Sequence, residues 1–518
     1  MKTLQSYICG RWHEAAEGFV TLLDPSTEEE IAQISSAGVD FGEVVRYARD
    51  QGGTALRAMT FAERGALLKG MSKVLRQNRD ELLDLSRLNN GTTKPDGSFD
   101  VDGASGTLAY YAAVSKGLGE RQTMVEGSEI QLSREGGFVG HHLWVPRQGV
   151  AVHINAFNFP AWGFAEKAAC ALLAGMPVIT KPASATALVT HRCVELLVEA
   201  EILPAGALQL ISGSTGDLLD RLGSQDVLAF TGSADTGVTL RQRSQQQAVN
   251  ARFNVEADSL NAAVLGPDVG PGSATMDLFL RDVVREMTQK AGQKCTAVRR
   301  ILIPTDSVDA VQDALVAQLE GVVTGNPATE GVKMGPLATS QQLTDAVEGV
   351  AALAEHTVSV LGTGQRIDGE GSPAGKGFFI SPTLLRAEDP FAAEIVHERE
   401  VFAPVATILP YDGTAAESAE IVTLADGTLV TSLYSDDNQW VAQFLATGGS
   451  STGRLYVGSE EAAAEAPGSG AALPQTLHGG PGRAGGGEEL GGLIGVQLYL
   501  QRLAIQGGPT LIESLSSS

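Results

Sequence analysis

GVAVHINAFNFPAWGFAEKAACALLAGMPVITKPAS, residues 149–184, decides how the chain is built. GVAVHI (Gly149 to Ile154) reads as a buried strand, Trp162 to Ala174 as an alanine-rich helix, and MPVITKP (Met176 to Pro182) as a second strand. The pattern then repeats through a helix at Ala187 to Ala200, a strand ALQLISG (Ala207 to Gly213), a short helix at Leu218 to Leu222, and a strand DVLAFTGS (Asp226 to Ser233) that runs into a loop. Four strands separated by helices predict a parallel, doubly wound α/β sheet.

Outward from that core, Leu56 to Leu88 carries Leu67, Leu68, Met71 and Leu75 on one stripe and reads as helical. A second αβ series is expected from Gly266 to about Leu473, with a helix at Asp277 to Lys290 and a strand at Arg300 to Pro304. Glu126 to Trp144 alternates like a hairpin around Glu135-Gly136-Gly137. The glycine-dense HGGPGRAGGGEELGG (His478 to Gly492) is read as an ordered loop, because apolar strand-like residues resume at Leu493 to Ile505.

The chain has 518 residues, 43% hydrophobic and 19% charged, which excludes both a single small module and wholesale disorder. A net charge of −24 argues against non-specific binding to nucleic acid or anionic lipid. Cys9, Cys170, Cys193 and Cys295 show no paired spacing, so neither a disulfide framework nor a metal site is expected. The N-terminus lacks the apolar run of a signal peptide and no stretch is long enough to span a membrane, so the expectation is a soluble protein of a reducing cytoplasm.

Cys295, in AGQKCTAVRR, sits on a turn between a helix and a strand, with Lys294, Arg299 and Arg300 near it in sequence. Such a thiol is either a nucleophile with a lowered pKa or a small buried hydrophobe. Glu256, in FNVEADSLNAAVLG, lies in an apolar strand context that fits a general base or a salt-bridged structural carboxylate. Asn158, in NAFNFP, is an oxyanion donor or a turn residue. FTGSADTG (Phe230 to Gly237) reads as strand, tight turn and helix start, where Ser233 caps and first-turn amides suit a pyrophosphate. Lys181 and Ser184 in TKPAS suit a ribose or its phosphate.

AFNFP, TKPAS, FTGSADTG, NVEADS, GQKCT and EREVFAPV, in this order, resemble the aldehyde dehydrogenase superfamily. The resemblance implies a Rossmann-type cofactor domain (1–122 and 146–265), an α/β catalytic domain (266–473) and a small β oligomerisation element (123–145 and 493–508). It makes Cys295 the nucleophile, Glu256 the base that activates the hydrolytic water, and Asn158 with the Cys295 backbone amide the oxyanion site. Lys181 and Ser184 would hold the adenosine ribose, Gly232 and Ser233 the pyrophosphate side, and Glu400 and Phe402 the nicotinamide ribose. Many relatives carry Glu where this chain has Ser184; losing that charge favours NADP over NAD. Ala257-Asp258-Ser259 and Ala403 depart from the usual Leu-Gly-Gly and the usual Gly, which marks a divergent branch.

VHINAFNFP, VREMTQKAGQKCTAVRR and HGGPGRAGGGEELGG narrow the resemblance to the branch that oxidises ring-opened coenzyme A semialdehydes in aerobic aromatic catabolism. The implied reaction is NADP-dependent oxidation of a CoA-thioester semialdehyde to its acid. The alternatives are a free aliphatic or aromatic aldehyde as substrate, and a non-catalytic binding protein on the same fold. A CoA substrate predicts basic side chains at the mouth of the tunnel. Arg134, His141 and His142 are expected to face a partner subunit, and His153 and His478 to be hydrogen-bonded framework. A homodimer joined by sheet extension is expected.

Overall fold

The structure is a computed structural model and describes residues 1–246 and 250–517. Ala151–Ile154, Val178–Lys181, Leu208–Leu210, Val227–Thr231 and Arg252–Glu256 form the parallel part of a seven-stranded sheet. Ser6–Ile8 and Arg11–His13 complete it as antiparallel strands. The parallel strands are covered on both faces, so their residues are almost all buried and read as unbroken apolar runs rather than alternating ones. The chain enters at Ala151–Ile154, moves out through Val178–Lys181 and Leu208–Leu210, then returns to the other side through Val227–Thr231 and Arg252–Glu256. The direction reverses between Ala151–Ile154 and Val227–Thr231, so a crevice opens beyond their carboxyl ends.

A second seven-stranded sheet runs in the order Val358–Leu361, Thr383–Arg386, Val405–Tyr411, Val298–Pro304, Asn261–Leu265, Thr428–Tyr434, Thr452–Gly458. It begins at Asn261, ahead of the expected start at Gly266, because NAAVL is itself a fully buried strand. Asn261 is no turn residue: its Nδ2 donates to the carbonyls of Cys295 and Ala297 (2.8 and 2.9 Å), tying this strand to the nucleophile loop. Only residues 257–260 separate Glu256 from the second sheet.

Local chemistry explains where elements break. The stretch from Leu56 to Leu88 is three helices, Thr54–Ala58, Phe61–Gln77 and Arg79–Asn90, not one. Thr60 and Glu63 form a reciprocal capping box, with Glu63 N–H donating to Thr60 Oγ1 (3.2 Å) and Thr60 N–H to Glu63 Oε2 (2.7 Å), which starts a new helix there. Ala274–Thr288 ends in a tight turn, Gln289–Gly292, where Lys290 and Ala291 take φ of 53°. Leu493–Gln497 is a short helix, and the strand begins only at Leu500–Gly507. That strand pairs with Val139–Pro146, which pairs with Met124–Gln131, bringing the two segments expected to share an element into one antiparallel sheet. Among the described residues no helix is long and apolar enough to cross a membrane.

The glycine-dense run is a two-stranded ribbon, Leu477–Gly479 against Glu488–Leu490, with His478 opposite Glu489. It lies on the last strand of the first sheet: Gly487 N–H donates to the Val255 carbonyl (3.1 Å) and Ala257 N–H to that of Ala484 (3.0 Å). A Cβ on Gly487 would stand 2.3 Å from the Val255 oxygen, so glycine is required by close backbone approach next to Glu256. Gly487→Val is expected to cost about 1–3 kcal/mol of stability by overpacking and to lower kcat, measured by thermal unfolding and turnover on the same preparation.

Candidate active site

Two cavities meet at Cys295. One, of about 550 Å³, opens at the crevice of the first sheet and is lined by Asn155, Asn158, Gly232, Ser233, Glu256, Glu400, Phe402 and Cys295 among others. The other, of about 620 Å³, is walled by Phe99, Tyr110, Phe159 and Trp162, by Gly103 and Gly106, and by residues 470–475, and also ends at Cys295. Among the described residues no Lys or Arg lines the second cavity; cations stand behind its wall, with Lys290 Nζ over the Phe159 ring at 4.1 Å, Arg454 bonded to the Ala471 carbonyl and Arg79 paired with Asp102 (2.6 Å).

Cys295 follows the left-handed Lys290-Ala291 turn and precedes the Val298–Pro304 strand, a placement that presents Sγ to both cavities. The cationic neighbours counted from sequence do not serve it. Arg299 is spent on Glu400 (3.2 Å) and on the Ala403 carbonyl (2.8 Å). Arg300 is buried against the carbonyls of Leu260, Ile421 and Val422. Burial, followed by the Glu256, Glu166 and Glu400 carboxylates, pushes the Cys295 thiol well above the ordinary thiol range. Of the two sequence readings of Cys295, the thiol with a lowered pKa is thus not met.

Glu256 ends the Arg252–Glu256 strand with its side chain buried. His478 Nε2 lies 2.9 Å from its Oε1 and 3.8 Å from Cys295 Sγ. Burial alone would push the Glu256 carboxyl up, but His478 and Lys167 outweigh it and hold the group below the usual carboxylate range. Lys167 pairs with Glu166 Oε1 (2.8 Å) and Glu489 Oε2 (3.3 Å), and Glu489 Oε1 accepts from Asn254 (3.0 Å). Asn158 Nδ2 donates to the Gln293 carbonyl (3.0 Å), which fixes the amide beside the cavity and leaves its second N–H for another acceptor.

Glu400 accepts from Ser259 N–H (3.2 Å) as well as from Arg299, and burial pushes its carboxyl up to about 7. Phe402 packs edge-on against Phe157 at 5.7 Å. Lys181 and Ser184 flank Ala183, which lines the cofactor-side cavity, while their own side chains are not part of its wall. Ser233 Oγ accepts from Thr236 N–H (3.3 Å) and caps the Ala234–Gln246 helix.

The crevice fits the dinucleotide expected from sequence: a Cβ on Gly232 would strike the Phe230 ring at 2.5 Å, so the backbone there is kept bare beside the cavity. One first-turn amide, Ala234 N–H, is taken by Asp258 Oδ1 (3.0 Å), so that carboxylate shares the helix terminus on which a pyrophosphate would rest.

The structure thus brings Cys295, Glu256, Asn158, Gly232, Ser233, Glu400 and Phe402 to one crevice. Sequence reading missed Glu166, Lys167 and Glu489, although a Glu-Lys pair inside the otherwise apolar Trp162–Leu173 helix was the available signal. His153 is framework, with Nε2 bonded to Tyr499 Oη (3.1 Å), whereas His478 faces the reacting groups. A direct consequence of the raised thiol is that iodoacetamide modifies Cys295 slowly at neutral pH in the cofactor-free protein, its rate still climbing above about pH 9. Peptide mapping of the alkylated protein reads this; a rate that levels off below about pH 8 would mean a preformed thiolate.

The sequence model described as "Aldehyde dehydrogenase family" matches residues 12–500. The chain is 43% identical over 478 residues to a 3,4-dehydroadipyl-CoA semialdehyde dehydrogenase of Aromatoleum evansii, covering 92% of this chain and 93% of that one. It is 28% identical to a glutarate-semialdehyde dehydrogenase of Pseudomonas putida, over 84% of this chain and 85% of that one. Among solved structures, betaine aldehyde dehydrogenase from Staphylococcus aureus in complex with NAD+ superposes with a TM-score of 0.84 at 23% identity, covering 98% and 95% of the two chains. Lactaldehyde dehydrogenase from Escherichia coli superposes with a TM-score of 0.85 at 21% identity, covering 97% and 99%.

Proposed function

This chain belongs to the aldehyde dehydrogenase family, and on that premise we propose that it oxidises the aldehyde end of a CoA-thioester semialdehyde, 3,4-didehydroadipyl-CoA semialdehyde, to the carboxylic acid with NADP. The observation that carries the chemistry is that Cys295 is the shared wall of the two cavities, so one side can take the aldehyde and the other the dinucleotide. The substrate class is supported by the Aromatoleum relative. NADP is supported by TKPASATAL, residues 180–188, which places no carboxylate after the strand end where a ribose phosphate would lie.

Cys295 Sγ adds to the aldehyde carbon while its proton passes to the Glu256 carboxylate. The free N–H of Asn158 and the Cys295 backbone amide hold the oxyanion of the thiohemiacetal. A nicotinamide bound in the crevice supplies the two-electron acceptor for the oxidation to a thioester. Glu400 and Phe402 shape the wall of the crevice on that side, with Arg299 holding Glu400 in place. Glu256 releases the thiol's proton to solvent, takes a proton from the attacking water, and returns it to the departing Cys295 sulfur as the acid forms and leaves.

A second reading, oxidation of a free aliphatic or aromatic aldehyde, is favoured by the absence, among the described residues, of Lys and Arg from the wall of the aromatic cavity. The sheet of Met124–Gln131, Val139–Pro146 and Leu500–Gly507 has free edges, and we assign it to the interface of a homodimer, residues 123–145 and 493–508 of each copy.

The test is reduced-nicotinamide formation with the thioester semialdehyde and with the same aldehyde lacking CoA, each with NADP and NAD. Faster turnover with the thioester and NADP is expected, and Cys295→Ala is expected to lower it by at least about 10³-fold. Equal turnover of the free aldehyde would move the protein to the second reading. Full activity of Cys295→Ala would remove the mechanism.

A further inference from the structure

Glu256 is a buried carboxylate in acidic company. Glu166 from the Trp162–Leu173 helix and Glu489 from the glycine-rich ribbon lie in the same buried cluster, and the Cys295 thiol approaches from the nucleophile loop. Lys167 is the cation in this cluster, and its ion pairs are with Glu166 (2.8 Å) and Glu489 (3.3 Å). Among the described residues, Glu256 Oε2 has no hydrogen-bond partner, and Oε1 has His478 Nε2 at 2.9 Å.

The ring's other nitrogen decides its form. His478 Nδ1 is buried with no partner among the described residues, so an imidazolium would leave an N–H unsatisfied. A neutral ring carrying its proton on Nε2 donates to the carboxylate and leaves only an unpaired acceptor at Nδ1. Trp162, a wall of the aromatic cavity, packs edge-on against the ring at 6.0 Å and holds it in that orientation.

We propose that His478 is a positioning residue that keeps Glu256 ionised and aimed at Cys295, and that its Nε2–H thereby sets the lower pH limit at which the enzyme turns over. As a donor to the carboxylate, the Nε2–H stabilises the ionised form of Glu256 by a charge-assisted hydrogen bond. Without it, burial and the Glu166 and Glu489 carboxylates favour the protonated acid, which can accept a proton neither from the thiol nor from water. This inference rests on the reading of Glu256 as the base.

His478→Phe keeps the ring's contact with Trp162 and deletes the donor; His478→Asn deletes the ring and keeps a donor. The pH profile of kcat/KM is expected to gain an acid limb in His478→Phe: turnover falls about tenfold or more near pH 7, which places the limb at about pH 8 or above, and recovers at alkaline pH. His478→Asn is expected to recover part of the neutral activity. Infrared difference spectra should show a protonated carboxyl at neutral pH in His478→Phe that is missing from wild type and from the His478→Phe/Glu256→Gln double variant. A loss by the same factor at every pH, an unchanged profile, or no protonated carboxyl in the His478→Phe spectrum would overturn the proposal while leaving Glu256 as base. Full turnover of Glu256→Gln would overturn the base reading and the proposal together.

Discussion

A carboxylate taken out of water must be compensated, and the environment of Glu256 is organised by that requirement. With Glu256 buried at a strand end, the chain brings a histidine from residue 478 and a lysine from residue 167 to it. The lysine in turn carries two further glutamates, Glu166 and Glu489, of which the second is tied back by Asn254, two residues from Glu256 on the same strand. Three segments more than 80 residues apart are thereby fixed to one another by charge. The ribbon's glycines are the steric counterpart, since only bare backbone can lie close enough to Val255 to deliver His478 and Glu489.

Cys295 is placed by a different device. Two consecutive left-handed residues, Lys290 and Ala291, turn the chain sharply out of the Ala274–Thr288 helix. Asn261 then holds the carbonyls of Cys295 and Ala297 against the neighbouring strand, and Arg299 bonds the carbonyls of Gly292 and Ala403. These anchors belong to the second sheet, and from the first sheet's side Asn158 bonds the Gln293 carbonyl. Burial, followed by the carboxylates of Glu256, Glu166 and Glu400, pushes the Cys295 thiol up despite the positive charges of Arg299 and Arg454.

The two cavities have different origins. The crevice side follows from topology, because the reversal of strand order leaves the ends of Ala151–Ile154 and Val227–Thr231 uncovered. The aromatic side follows from side chains on the Lys94–Leu118 helix and the Asn158 turn, with Gly103 and Gly106 on one wall of it. A Cβ at Gly106 would meet nothing within 4 Å, so the absence of a side chain there is open space in the cavity rather than a packing requirement.

The sequence by itself determined the parallel sheet, through apolar runs buried on both faces, and the glycine-bare, serine-capped turn at Gly232 and Ser233. It also marked Cys295, Glu256 and Asn158, because local pattern and motif order are written along the chain. Only the tertiary structure decided which charges act on which. Lys294, Arg299 and Arg300 are near Cys295 in sequence, yet Arg299 and Arg300 are consumed by Glu400 and by backbone carbonyls, while His478, 183 residues away, touches Glu256 Oε1 and approaches Cys295 Sγ. Electrostatic influence falls with distance in space and grows with burial, and neither quantity is legible from separation along a chain.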